Sequence, residues 1–245
     1  MIFFFNLNLR RDYKSSSINC NLSLGECLMV QEFDLELVNN QEQRLPCVLV
    51  LDTSYSMSGE PISELLSGIE LLAHELKEDE DASQKVQVMI VKCGGDASVI
   101  SDWTDAENFV PPSLEANGGT PLGEAVTLAA NELEERKSQY RSAGISYLKP
   151  WLFIISDGAP TDEWRAAASN LVSQEKAGKF STFPIAVEGA DVDIMNQFGM
   201  RGAKKLRGIE FKTLFEWISA SVRIGSQRAD DSEKVSLPEV NWEEL

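Results

Sequence analysis

The sequence predicts an α/β fold of the Rossmann-like, doubly wound type, in which helices cover both faces of a mostly parallel central sheet with one antiparallel edge strand. Short apolar runs alternate with longer segments whose apolar residues recur at helical spacing. The apolar runs are continuous, as expected for strands that are buried on both faces. Polar clusters follow several of these runs directly, at the edge of the sheet where open α/β folds bind ligands.

The order of the predicted elements follows from this alternation. Runs with strand character occupy residues 47–51, 86–91, 97–103, 151–155, 182–187 and 206–211. Apolar residues recur at helical spacing over residues 62–76, 122–133, 163–177, 192–198 and 214–224. Gly94, Gly95 and Asp96 have a tight-turn composition, which predicts the antiparallel edge. The acidic residues 78–81 are expected to form a solvated turn, with weak Ca²⁺ binding as the alternative.

Length and composition indicate one domain with a tail at each end. The 245 residues, of which 43% are apolar and 25% charged, leave room for one α/β domain. We expect an N-terminal extension over residues 1–43, one domain over 44–225 and an acidic, disordered tail over 226–245. The codons for Gly25 and Glu26 can spell a bacterial ribosome-binding site shortly before Met29. We hypothesise that Met29 is the initiator and that residues 1–28 are a mis-called start; a genuine extension is the alternative.

Charge and hydropathy narrow the classes of partner and the location. The formal charge of −17 argues against nucleic acid and anionic membranes, which require a basic surface, and favours cations and basic protein faces. The first nine residues are apolar, but Arg10 and Arg11 follow them instead of preceding them, unlike a signal peptide. No apolar run approaches the length of a membrane span. We therefore expect a cytoplasmic protein.

The cysteines do not form a recognisable framework. The four cysteines, Cys20, Cys27, Cys47 and Cys93, stand far apart and lack a C-x-x-C pair. Two of them, Cys47 and Cys93, lie within apolar runs. Reduced core or tail thiols are favoured over disulfides or a zinc site.

Three polar loops are candidates for a shared metal site. Asp52, Ser54 and Ser56 follow the first strand, Thr120 precedes a helix, and Asp157 follows a later strand. Hydroxyl and carboxylate oxygens suit Mg²⁺, a hard ion that prefers octahedral oxygen coordination. Each residue alone is better explained as a helix cap or turn residue. Together, two aspartates that end strands beside three hydroxyls favour a metal.

The same loops resemble the von Willebrand factor A family, also called the integrin I-domain family. The segment DTSYSMSG at residues 52–59 fits the family's D-x-S-x-S pattern, GGTPL at 118–122 resembles its threonine loop, and SDG at 156–158 resembles its second aspartate. Order, spacing and strand context agree, and the resemblance covers residues 44–225.

The resemblance implies a metal-ion-dependent adhesion site. Ser54 and Ser56 would bind Mg²⁺ directly, with Mn²⁺ or Ca²⁺ as alternatives, and Thr120 would bind directly or through water. Asp52 and Asp157 would act largely through bound waters. An open coordination position would accept an Asp or Glu carboxylate from a partner protein.

A rim around this site is expected to contact the partner. Tyr55, Met57 and Gly119 are the candidate rim residues, and Tyr55 replaces a glycine that is common in the family at that place. Trp164 is a candidate for the rim or the core.

Within the family, residues 45–62 resemble the TerY-type, tellurium-resistance-associated proteins. That resemblance implies a bacterial tellurite- and chemical-stress-associated signalling system, with a protein kinase or a PP2C-type phosphatase as the partner. The expected function is a metal-dependent interaction module or scaffold and not an enzyme.

Two other functions remain open. One is a Mg²⁺-dependent phosphatase or phosphotransferase with Asp52 as the nucleophile, although Ser54 stands where haloacid dehalogenase-type enzymes have a second Asp. The sequence also lacks a phosphate-binding G-x-x-x-x-G-K-[ST] loop, and its single histidine, His74, lies far from the three loops. The other is a metal-free scaffold that binds through its acidic surface.

Overall fold

The computed structural model describes residues 42–187, 189–206 and 211–227. The predicted extension before residue 42, the hypothesis about Met29 and the predicted tail from residue 228 lie outside these ranges. Cys20 and Cys27 lie outside them as well.

A mostly parallel sheet forms the centre of the described chain. Its strands are β1 Leu45–Asp52, β2 Val86–Gly94, β3 Asp96–Asp105, β4 Trp151–Ser156, β5 Ser181–Ala186 and β6 Lys204–Lys205. They lie in the order β3-β2-β1-β4-β5-β6, and among them only β2 and β3 pair antiparallel. This arrangement confirms the predicted fold class, including the antiparallel edge strand.

Helices cover both faces of the sheet. They are α1 Glu60–Glu78, α2 Glu80–Lys85, α3 Leu122–Ala143, α4 Trp164–Lys176, α5 Val192–Met195 and α6 Phe211–Ser226, with short 3₁₀ helices at Tyr55–Met57 and Asn196–Phe198. Side chains of α1 and α6 pack on one face, and those of α3 and α4 pack on the other. In β1, Leu49 and Leu51 belong to the first core and Val48 and Val50 to the second. Because successive side chains point to opposite faces, this strand is apolar at every position before Asp52.

Two predicted elements differ from the observed ones. The acidic turn continues into α2, because the Asp79 carboxylate accepts a hydrogen bond from the Ala82 N–H at 2.8 Å and so caps a new helix. Of the last predicted strand, over 206–211, residues 207–210 lie outside the described ranges, and its two ends, Leu206 and Phe211, are not in a strand. The strand is Lys204–Lys205, which pairs with the end of β5, and α6 already begins at Phe211. Buried Leu206 contributes to the core from outside a strand.

A buried polar group fixes the start of β1 at the opposite edge of the sheet from the candidate site. The fully buried Arg44 guanidinium lies 2.9 Å from Asp105 Oδ1 and donates to the Gln84 carbonyl at 2.7 Å. The Gln87 side chain also donates to Asp105 Oδ1, at 2.5 Å. These contacts join the ends of β1, β2 and β3.

No helix in the part of the chain that the structure describes is both long and apolar enough to cross a membrane.

Candidate metal centre

The loop after β1 brings three of the predicted ligands together. Asp52 ends the strand and is fully buried, and its Oδ1 accepts a hydrogen bond from the Ser54 N–H at 2.9 Å. This local bond turns the chain sharply out of the sheet. The 3₁₀ helix Tyr55–Met57 follows, and it places the Ser56 hydroxyl oxygen 2.9 Å from that of Ser54. Two hydroxyls and a carboxylate therefore lie within five residues at the edge of the sheet.

Ser156 contributes to the candidate centre, although the sequence predicts no role for it beyond its place in the SDG segment. Its hydroxyl donates to Asp52 Oδ2 at 2.5 Å and accepts from the Gly158 N–H at 3.0 Å. Because β1 and β4 are parallel neighbours, their carboxyl ends meet at this edge. The signal was present in the sequence, since Ser156 is a polar residue at the end of an apolar run, directly before Asp157.

The threonine loop is fastened to the first loop through backbone groups. The Asn117 N–H donates to the Thr53 carbonyl at 2.7 Å, and the Tyr55 N–H donates to the Gly118 carbonyl at 3.0 Å. The Gly95 N–H, in the turn between β2 and β3, donates to the Gly119 carbonyl at 2.9 Å. These three bonds set the position of Thr120, the next residue, relative to the Asp52 loop.

Thr120 is also held from the loop after β4. The Thr120 N–H donates to the Thr161 hydroxyl at 3.0 Å, and the Thr161 N–H donates to the Thr120 carbonyl at 2.9 Å. Thr120 is only 3% exposed. Both of its backbone groups are engaged, so its hydroxyl is the group left for a ligand.

Asp162 stabilises the beginning of α3 from a distant part of the sequence. Its two carboxylate oxygens accept from the Gly123 N–H at 3.2 Å and the Glu124 N–H at 2.9 Å. These N–H groups have no partner within the helix, and the helix dipole favours a negative charge beside them. The cap joins the threonine loop to the loop that carries Asp157.

Close packing between these loops requires glycine at two positions. A Cβ atom on Gly94 would lie 2.2 Å from Thr53 Oγ1, and one on Gly118 would lie 2.4 Å from the Gly95 Cα. Real Cβ atoms do not approach other atoms so closely. The backbones therefore meet without intervening side chains, which makes the relative positions of the loops rigid.

Negative charge is concentrated at this edge of the sheet. Burial raises the pKa of the Asp52 carboxyl, hydrogen bonds from Ser156 and Ser54 oppose that shift, and the nearby charge of Asp157 raises the pKa further. Burial also raises the pKa of the Cys93 thiol, and the charges of Asp52, Asp162 and Asp157 add to that shift. A cation at this edge would stabilise the ionised carboxylates.

The donor atoms fit a hard divalent ion. Adjacent ligands of an octahedral Mg²⁺ at 2.0–2.1 Å from the metal lie about 2.9 Å apart. The Ser54 and Ser56 hydroxyls are hydrogen-bonded to each other, and the 2.9 Å between their oxygens equals this separation. Within the described ranges there is no group of three or more His, Cys, Asp or Glu side chains that could hold a metal. The candidate set instead combines two carboxylates with hydroxyls, which suits Mg²⁺ and offers nothing to draw zinc in preference.

The predicted rim residues differ in their exposure to solvent. Tyr55 is 66% exposed, and Gly119 is exposed as well. Met57, which we expected on the rim, is only 2% exposed and packs in the core, because the 3₁₀ helix directs it inward. Trp164 is also a core residue, with its ring centroid 5.6 Å from that of Phe198.

Solved structures of other proteins have the same fold. The pilus adhesin SpaC of Lactobacillus rhamnosus GG matches with a TM-score of 0.62 at 12% identity, over 75% of this chain and 31% of that one. The von Willebrand factor domain of the pilus tip protein Mfa5 of Porphyromonas gingivalis matches with a TM-score of 0.55 at 12% identity, over 77% of this chain and 98% of that one. Proximal thread matrix protein 1 of the mussel byssus, solved with a zinc-occupied metal-ion-dependent adhesion site, matches with a TM-score of 0.50 at 12% identity, over 74% and 48%.

These likenesses concern the fold alone, because the identities are low. The chain spans 31% to 48% of the length of the first three structures that it matches. No curated protein matches the chain.

A family model gives the more specific result. The model of the von Willebrand factor type A domain matches residues 47–210, from the third residue of β1 to the segment before α6. Proteins with this domain typically mediate protein interactions. The match includes all three loops of the candidate centre, and the chain therefore belongs to the von Willebrand factor type A domain family.

Proposed function

We propose that this domain is a metal-dependent protein-interaction module that binds a carboxylate of a partner protein through a bound Mg²⁺. One observation carries the proposal: the Ser54 and Ser56 hydroxyl oxygens lie 2.9 Å apart, at the spacing of neighbouring ligands of a small octahedral ion. They stand beside Asp52, whose carboxylate is fixed through both of its oxygens.

Each predicted ligand has a distinct part in this proposal. Ser54, Ser56 and Thr120 would hold the ion through neutral hydroxyls, and Asp52 and Asp157 would act through water molecules in the ion's shell. Neutral ligands leave the ion strongly electrophilic, so a carboxylate from outside completes its coordination. The two aspartates supply the negative charge that attracts the ion.

We propose binding and not catalysis as the activity. The single histidine, His74, is exposed on α1, a helix that begins eight residues after Asp52. The buried Asp52 carboxylate is engaged by Ser54 and Ser156, which leaves it poorly placed to attack a phosphoryl group. Mg²⁺-stimulated release of phosphate from a generic phosphomonoester, lost in Asp52→Asn, would contradict this part of the proposal.

The proposed setting is a cytoplasmic, TerY-type system of bacterial tellurite and chemical-stress signalling. It is supported by the resemblance of residues 45–62 to that group, and it makes a kinase or a PP2C-type phosphatase the candidate partner. Mn²⁺ and Ca²⁺ are the alternative ions. Deletion of the gene in a tellurite-resistant host should lower resistance, and unchanged resistance would contradict the setting but not the metal site.

The first experiment is a calorimetric titration of Mg²⁺ into metal-stripped protein. We expect saturable binding by the wild type and none by Asp52→Ala or Ser54→Ala. Ser169→Ala and Glu70→Gln are controls, because both residues are exposed and lie outside the three loops. Equal titrations of wild type and site variants would contradict the metal site.

The second experiment concerns the partner. Capture of a candidate kinase or phosphatase by the wild type should be lost in EDTA and restored by Mg²⁺. Capture that responds to salt but not to EDTA would favour the metal-free scaffold, because exposed charges are screened by salt.

A further inference from the structure

A groove lies on the outer side of α4, away from the candidate metal centre. It has a volume of about 480 Å³ and lies between α4 and the segment of residues 196–200. One stripe of α4 forms its first wall, with the residues Arg165, Ala168, Ser169, Val172, Ser173 and Lys176. Each of these residues has another of the set three or four positions away, so together they line one face of the helix from its first turn to its last.

The two walls are fixed to each other by a buried carboxylate. Glu175 of α4 is only 5% exposed, and its oxygens accept from the Met200 N–H at 2.8 Å and the Thr182 N–H at 3.1 Å. The groove is therefore a formed part of the fold and not a chance gap between side chains.

The groove is basic on a strongly acidic protein. The chain has 39 acidic and 22 basic residues, yet none of the ten described residues that line the groove is acidic. Arg165 and Lys176 stand near its two ends, and both are exposed. Among the described residues, neither side chain takes part in an ion pair.

Between the two cations the groove offers an apolar floor and uncharged polar groups. Val172 and Met200 supply apolar surface, and Met200 is 54% exposed although it is a large hydrophobic residue. Ser169 and Ser173 add hydroxyls. The combination matches a ligand with separated negative charges and an apolar group between them.

We propose that this groove binds an extended acidic peptide segment of a partner protein. Arg165 and Lys176 would pair with carboxylates at its two ends, and an apolar side chain between them would lie on Val172 and Met200. The two cations on α4 lie eleven positions apart, which corresponds to about 16 Å along a helix. An extended peptide covers that distance in about five residues. Because successive side chains of an extended peptide point to opposite sides, two acidic residues that both face the groove should stand about four or six positions apart.

The test uses a short synthetic peptide and ¹⁵N-labelled full-length protein in EDTA, so that the metal centre takes no part. The peptide has two glutamates about four positions apart, with a leucine midway between them so that all three side chains face the same side, and a second peptide has glutamine in place of both glutamates. We expect saturable shifts of the Ser169, Ser173 and Met200 amide signals with the first peptide only. Because the readout is independent of metal, failure here leaves the proposed Mg²⁺ function untouched.

A matched pair of double variants separates local contacts from the overall field. Arg165→Gln/Lys176→Gln should weaken binding roughly three- to tenfold, the range expected for two exposed ion pairs. Lys77→Gln/Arg141→Gln removes the same charge from exposed positions elsewhere and should leave the affinity unchanged. Met200→Ser should also weaken binding, without any change in charge.

Three results would overturn the proposal. The glutamate and glutamine peptides could bind equally well, or the two double variants could weaken binding by the same factor. The acidic peptide could also bind only after residues 228–245 are removed, which would make the chain's own acidic tail the occupant of the groove.

Discussion

The Ser156 hydroxyl donates a hydrogen bond of 2.5 Å to Asp52 Oδ2, across 104 positions of sequence. The Ser156 hydroxyl oxygen also accepts a hydrogen bond from the Gly158 N–H. One hydroxyl therefore holds both Asp52 and the turn that carries Asp157. Asp52 Oδ1 is already engaged by the Ser54 N–H. Ser156 is therefore a positioning residue for the proposed metal centre.

Replacement of Ser156 by alanine should weaken Mg²⁺ binding roughly 10- to 100-fold, the usual effect of removing a group that orients a metal ligand. The Asp52 carboxylate would lose one of its two fixed partners and the Gly158 N–H would lose its acceptor. Calorimetry on metal-stripped Ser156→Ala, beside Ser169→Ala, measures the effect. Affinity equal to that of the wild type would remove Ser156 from the centre.

Replacement of Gly94 by alanine should destabilise the protein by about 1–3 kcal/mol through overpacking. The new methyl group would lie 2.2 Å from Thr53 Oγ1 and 2.4 Å from the Thr53 carbonyl oxygen, so the metal-binding loop must shift. Urea unfolding and Mg²⁺ titration should both report the change.

Gly178→Ala is the control for this experiment. Gly178 has a positive φ of 78°, but a Cβ there meets no atom within 4 Å. That variant should lose about 1 kcal/mol from backbone strain and retain Mg²⁺ affinity. If Gly94→Ala also retained full affinity, the close approach of Gly94 and Thr53 would not determine the geometry of the loop.

Removal of Arg44 should greatly lower the stability of the protein, although Arg44 lies at the edge of the sheet opposite the candidate metal centre. Arg44→Met leaves the Asp105 carboxylate buried without its cation, which typically costs about 3–5 kcal/mol. The double variant Arg44→Met/Asp105→Leu should cost less than the sum of the two single changes, because no charge is left buried. Urea unfolding of all four proteins tests this coupling, and additive effects would contradict it.

Cys47 should make stability depend on alkaline pH. Burial raises the pKa of this thiol far above the ordinary value of about 8.5, so its protonated form belongs to the folded state. The stabilisation is complete below that ordinary pKa and is lost as the pH rises from there toward the raised value. The free energy of unfolding should fall above about pH 8.5, and less steeply in Cys47→Ala.

Alkylation gives a second measurement on the same residue. Cys47 should remain unmodified by iodoacetamide in the native protein and react after unfolding, as peptide mass mapping can show. Rapid modification of the native protein would mean that β1 opens readily.

Much of the fold could be predicted because the spacing of apolar residues in the sequence matches the burial of the strands and long helices. β1 and β4 lie between other strands and under helices, so their apolar runs are uninterrupted. The long helices have one buried stripe each, as in α1, where Leu65, Ile69 and Leu72 recur. The sequence does not predict β6, because this strand is a pair of exposed lysines whose strand geometry comes only from pairing with β5.

The candidate ligands could be predicted, but the groups that hold them could not. Ligand residues follow strands in a recognisable order, whereas Thr161 and Asp162 act on residues some forty positions earlier. A Thr-Asp pair before Trp164 suggests a cap for the next helix, α4, yet Asp162 caps α3. The sequence predicts Met57 on the rim, but its inward direction comes from a single 3₁₀ turn, which has no repeating pattern in the sequence.

The backbone and the side chain of Tyr55 have different roles. Its N–H is bound to the Gly118 carbonyl at 3.0 Å, while its side chain is 66% exposed between two candidate ligands. Any residue with a backbone N–H can make this hydrogen bond, so a change of the side chain at this position leaves the bond in place. Under the proposed function, one substitution at Tyr55 would therefore change the preference among partners while the surrounding architecture stays the same, and duplicated copies of the gene would diverge by the same route.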